Sequence, residues 1–114
     1  MSDPLATPHL ALPYIAAAQA QKHVTHNEAL RRLDGIVQLA VEASGAVAPP
    51  GSPVEGARYL LGASPSGAWA GHSGALALFV DGAWIFVTPE IGWIAYDKAA
   101  DAVVVRKVAG WTAL

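Results

Sequence analysis

The sequence predicts an α+β fold: an extended N-terminal arm, one main α-helix and a small antiparallel β-meander of about five short strands. Three observations carry this. Pro4, Pro8 and Pro13 break the first stretch, apolar residues then follow a three-four spacing, and beyond residue 55 short aromatic and β-branched runs alternate with Gly, Pro, Asp and Ser.

The arm, residues 1–24, is apolar yet irregular, because each proline lacks an N–H and biases its predecessor toward extended backbone. Residues 25–44 read as an assembly helix. Leu30, Leu33, Val37 and Ala40 share one face, widened by Ala29, Ile36 and Val41, while Glu28, Arg31, Arg32, Asp34, Gln38 and Glu42 fall mostly on the other. Thr25 followed three residues later by Glu28 has the form of a capping box, which places the helix start at Thr25. Gly35 inside the pattern costs about 1 kcal/mol relative to Ala and implies a close contact or a bend. Gly45 supplies a left-handed C-cap, and Pro49, Pro50 and Pro53 make residues 45–57 an extended linker.

Residues 58–114 form the antiparallel β region, with "RYLLG", "ALALFV", "AWIFV", "WIAYD" and "AVVVRK" as strands. Asp81-Gly82 suits a type I′ hairpin turn, and a longer turn from Lys98 to Asp101 closes a second hairpin. The helix packs either on this sheet or against copies of itself; the sequence leaves both open.

At 114 residues the chain is one domain. Hydrophobic residues make up 54% and charged residues 14%, against roughly 45–50% and about 25% in soluble domains. The surplus predicts contacts between subunits, although much of it is alanine, which adds little area. A net charge of −2 and seven scattered Lys and Arg residues give no stripe for a nucleic-acid backbone. The absence of cysteine excludes disulfides and thiolate metal sites. Pro13 and the lack of Lys or Arg before the first apolar stretch make a poor secretory signal, so the chain is expected to be made and kept in the cytoplasm. No apolar run reaches the roughly 18 residues that a membrane span needs.

Chemistry has few candidates. His23 and His26 are three apart and could share a helical face as metal ligands, but the H-E-x-x-H pattern is absent and His9 and His72 are distant in sequence. There is no G-x-S-x-G elbow and no phosphate loop, and Asp81, Asp97 and Asp101 fall in turns. The expectation is a protein that is not an enzyme and that holds no metal or cofactor. The tryptophans carry more: each follows Gly or Gly-Ala, at Trp69, Trp84, Trp93 and Trp111. They either fill a small β core or leave exposed rings that stack on sugars, with Tyr59 or Tyr96 beside them and Asp81, Asp97 and His72 as polar partners.

The segments "LPYIAAAQAQKHVTHNEALRRLDGIVQLAV", "APPGSPVEGARYLLG" and "GAWAGHSGALALFVDGAWIFVTPEIGW", in that order, resemble a bacterial domain family of unknown function found in alphaproteobacterial prophages and gene transfer agents. The resemblance covers about residues 8–97. It implies a phage-like structural protein associated with tail fibres or head spikes, with no catalytic residue to carry over. On this reading the chain is a homo-oligomer, a trimer or pentamer, assembled in the cytoplasm into a phage-like particle. Its partners would be capsid, spike or tail-fibre proteins, and host capsular polysaccharide would be a further target. Leu30, Leu33, Val37 and Ala40 are the expected oligomer interface; the alternative function, a carbohydrate-binding module that recognises surface polysaccharide, would use Trp69, Trp84, Trp93 and Trp111 as its platforms.

Overall fold

The computed structural model describes residues 5–14 and 22–114, the side chains of residues 22–24 excepted. They belong to two compact units, residues 1–37 and 38–114. The α+β class holds, while several boundaries move.

In the first unit the helix α1 spans Lys22–Ile36. Thr25 and Glu28 therefore lie inside it and do not form a capping box, which needs a non-helical residue at the cap. Glu28 accepts instead from Arg32 Nη2 one turn on, at 3.2 Å. At the other end Val37 N still donates to Leu33 O, and Gln38 turns left-handed with φ +51°. Ala40 and Val41 then belong to a strand rather than to the helix face. The spacing of residues 36, 37, 40 and 41 suits a helix, but a paired strand satisfies the same apolar residues and also their backbone groups.

Residues 5–14 fold back on themselves instead of extending. Ala6 and Pro13 form an antiparallel bridge, Tyr14 N donates to Leu5 O at 3.0 Å, and Thr7 N donates to Leu12 O at 3.0 Å. The rest of the expected arm, residues 1–4 and 15–21, lies outside the described residues. The loop closes around Asp34 of α1, which is wholly buried. Its carboxylate accepts from Thr7 Oγ1 at 2.8 Å, His9 N at 2.9 Å and Leu10 N at 2.6 Å. Asp34 thus departs from the solvent-facing side that the helical pattern assigns it. Charge-assisted bonds from two backbone amides and a hydroxyl offset the loss of water around the carboxylate. Arg31 adds a second tie, 4.7 Å above the Tyr14 ring and donating from Nε to its hydroxyl at 3.3 Å.

The second unit holds eight strands, where the sequence predicts about five. They are β1 (Ala40–Val41), β2 (Ser44–Ala46), β3 (Arg58–Leu61), β4 (Leu76–Val80), β5 (Ala83–Val87), β6 (Ile94–Asp97), β7 (Ala102–Lys107) and β8 (Gly110–Ala113). They form two mixed sheets in place of one antiparallel meander, ordered β1-β6-β7-β8 (sheet I) and β2-β3-β4-β5 (sheet II). The pairs β1–β6 and β2–β3 are parallel, and all others are antiparallel. Gly45 is no helix cap: it is the extra residue in β2 where the register with β3 shifts. Both expected hairpins form, and Asp81-Gly82 has the two positive φ angles, +54° and +75°, of a type I′ turn.

The two sheets repeat one design. "PVEGARYLL" and "PEIGWIAYD" each place a turn before the first meander strand, with Ala57 N donating to Val54 O and Trp93 N to Glu90 O. Gly56 and Gly92, with φ +84° and +99°, occupy the one turn position that a side chain would strain. The ladders then match pair for pair. Arg58↔Leu78, Tyr59↔Ala77, Leu60↔Leu76 and Phe79↔Trp84 in sheet II correspond to Ile94↔Val105, Ala95↔Val104, Tyr96↔Val103 and Arg106↔Trp111 in sheet I. Each meander receives its parallel edge strand from the same short segment, residues 40–46.

Alternation assigns the faces. In sheet II Leu60, Leu76, Leu78 and Val80 occupy one buried face, and Tyr59, Leu61, Ala77, Phe79, Trp84 and Phe86 the other. The long β3–β4 connection carries a 3₁₀ turn, Gly67–Trp69, that lays Trp69 over this second face against Leu61 and Ala77. Val41, Ala95 and Val104 bring sheet I into the core.

Candidate functional site

The tryptophans divide. Trp69 has no exposed surface and cannot be a sugar platform, since stacking on a saccharide needs an open ring face. Its ring lies 5.2 Å from Tyr59 and 5.2 Å from Trp84, the latter edge to face at 79°. Trp84 also meets Phe79 at 5.1 Å. Such pairs contribute about 0.5–1.5 kcal/mol each beyond burial, so Trp69 and Trp84 belong to an aromatic core. Trp93 and Trp111 are partly buried and make no ring contact among the described residues.

The polar partners expected beside these rings are dispersed. Asp81 is exposed in its hairpin turn, where its N–H donates to the Glu55 carboxylate. His72 stacks on Phe86, with centroids 3.6 Å apart. Asp97 is buried and accepts from Ser44 Oγ at 2.5 Å and from the backbone amides of Ala99 and Ala100. The Ser44 hydroxyl leads these bonds in holding the Asp97 carboxyl below its ordinary pKa, against the upward pull of burial. Tyr96 donates to Asp101, and that bond, ahead of burial, raises the phenol's pKa.

Among the described residues the histidine side chains do not assemble into a site. His26 is exposed on α1, and the side chain of His23 lies outside the described residues. Among the described residues no group of three or more His, Cys, Asp or Glu could hold a metal ion. No helix among them is long and apolar enough to cross a membrane.

The expected interface residues also separate. Leu30 and Val37 are partly buried, Leu33 is exposed on α1, and Ala40 pairs with Tyr96 in sheet I. A larger bare surface was missed: Ile94, Tyr96 and Val103, side by side on the outer face of sheet I.

A groove of about 440 Å³ opens on the other face of sheet I. Arg106 and Trp111, opposite one another across β7 and β8, form one wall; Ser44, Gly45, Gly62 and Ser73 contribute to the other. No Asp or Glu lines it, and among the described residues the Arg106 guanidinium has no carboxylate partner, donating only to Lys107 O. Sequence reasoning singled out Trp111 but missed Arg106. The available signal was the hairpin register, which places the two directly opposite each other. The groove can hold a planar group and an anion.

No curated protein and no solved structure matches the chain. A protein family of unknown function, DUF2793, matches residues 26–112, taking in α1 from His26 and nearly all of both sheets. The chain therefore belongs to the DUF2793 family.

Proposed function

We propose that the chain is a structural component of a phage-like particle, a spike, fibre or adaptor protein that assembles as a homo-oligomer and attaches to other particle proteins. One observation carries the assembly reading: the outer face of sheet I has the build of a core but stays in water. Ile94, Tyr96 and Val103 are 58%, 38% and 38% exposed, whereas the matching Arg58, Leu60 and Leu76 of sheet II are 5%, 0% and 0% exposed. A contiguous apolar patch of this kind is stabilised by a cover, and identical chains supply one in a symmetric oligomer. Leu33, 47% exposed on α1, is a further apolar contact point. The phage-like setting rests on the resemblance in motif order described above.

Light scattering tests the assembly: a multimer is expected, and Val103→Asp should reduce it to a folded monomer. A stable monomer of the unsubstituted chain would remove the claim. Proteomics of phage-like particles purified from producing cells tests the setting, with the chain expected among the stoichiometric components. A second reading, recognition of surface polysaccharide, is favoured by the open parts of Trp93 and Trp111. Iodide quenching that leaves both indoles shielded would count against it.

A further inference from the structure

The outer face of sheet I is apolar along its middle and carries an acid at one end and a base at the other. Along β7, Val103, Val105 and Lys107 share that face by alternation. Asp101 joins them just before the strand, because the Tyr96 hydroxyl, on the same face, donates to its carboxylate. Asp101 and Lys107 are both exposed, and the strand between them holds them roughly 20 Å apart, too far to pair within one chain. Among the described residues no carboxylate pairs with Lys107. Lys98, in the same turn as Asp101, is already matched by Glu42 at 2.9 Å. The apolar positions extend to the flanking strands. Ile94 and Thr112 lie opposite Val105, Tyr96 lies opposite Val103, and exposed Leu114 comes beside Val103, to whose carbonyl its N–H donates at 2.9 Å.

We propose that this face pairs two copies of the chain, strands antiparallel, about a two-fold axis that crosses β7 at Val104 and lies in the plane of contact. The face is complementary to itself in that arrangement alone. Asp101 of each copy meets the partner's Lys107, Val103 meets the partner's Val105, and Ile94 meets the partner's Tyr96. Stacking with the strands parallel would instead set Asp101 against Asp101 and Lys107 against Lys107, so the charges select the register. Packed sheets lie about 10 Å apart, a gap that a lysine and an aspartate side chain bridge together. The proposal rests on the homo-oligomer reading and names its contact: a two-fold pair rather than the trimer or pentamer expected from the resemblance.

The test begins with carbodiimide, which joins a carboxylate to an amine in direct contact, on the full chain mixed from ¹⁴N- and ¹⁵N-labelled protein. Mass spectrometry should find an Asp101–Lys107 link with one light and one heavy half. Sedimentation then measures the pairing of charge variants. Lys107→Asp, at an exposed strand end, should weaken it roughly tenfold or more, because two attractions become two repulsions. Asp101→Lys should do the same, and the two variants mixed should pair with each other as tightly as the parent, since each supplies the charge the other lacks. Asp101→Asn, which suits the φ of +53° at this turn, should fold and weaken the pair by a smaller factor. A multimer without the Asp101–Lys107 link, or one whose affinity Lys107→Asp leaves unchanged, would overturn this proposal and leave the assembly reading standing. A monomer of the unsubstituted chain would overturn both.

Discussion

Replacing Asp34 by Ala removes at one stroke the acceptor for Thr7 Oγ1, His9 N and Leu10 N. Hydrogen bonds to a charged group contribute roughly 1.5–3 kcal/mol each, so three would sum to well over 4 kcal/mol if the donors stayed buried and unpaired. They need not stay buried, because the loop of residues 5–14 can open and return its amides to water. The visible loss is then capped by the free energy that holds the loop closed, which we place at about 3 kcal/mol. At 1.4 kcal/mol per tenfold, that is roughly 100-fold faster hydrogen exchange. The Leu10 amide, 2.6 Å from Asp34 Oδ1, is the reporter, and the Leu12 amide, which donates to Thr7 Oγ1, should follow it. The Leu61 amide, paired with Ala75 O in the second unit, serves as the control. Asp34→Asn should recover only part of the protection, since one carboxylate oxygen becomes a donor facing donors. Leu10 exchange within threefold of the parent in Asp34→Ala would refute the view that this carboxylate closes the loop.

Three further outcomes are expected. Trp69→Ala empties a fully buried indole site and should cost about 3–5 kcal/mol, enough to shift the denaturant midpoint steeply. Gly82→Ala, at φ +75° in the type I′ turn, should cost about 1–2 kcal/mol by denaturant unfolding, with the native strands kept. Asp97 has a folded pKa below its unfolded one, so its contribution is complete above the ordinary carboxylate range and is lost as pH falls through the lowered folded value. Stability measured against pH should show a shallower acid limb in Asp97→Asn, and an unchanged limb would contradict the linkage.

The parts of the fold legible in the sequence were those written in local chemistry. Asp81-Gly82 specifies its turn, and the five aromatic and β-branched runs give β3 to β7 nearly to the residue. What stayed hidden depends on partners far along the chain. Ala40–Val41 and Ser44–Ala46 are too short to show a period and become strands only because β6 and β3 pair with them. Asp34 looked like a solvated helix residue because nothing in its neighbourhood announces that Thr7, His9 and Leu10 will surround it. The sequence carries only traces of the repeat between the sheets, in the two P-x-x-G turns and in Trp84 and Trp111, each the second residue of its strand. Only the register reveals it, since few of the matched residues are identical.

Residues 40–46 have a kinetic consequence as well. Ser44 finds its partner at Leu60, but Ala40 must wait for Tyr96. On a chain emerging from the ribosome, sheet II can close while the strands of sheet I are still being made. The segment is then anchored at one end and presents β1 as a waiting template for β6. The order of synthesis thus favours a folding sequence in which the first meander sets the register of the second.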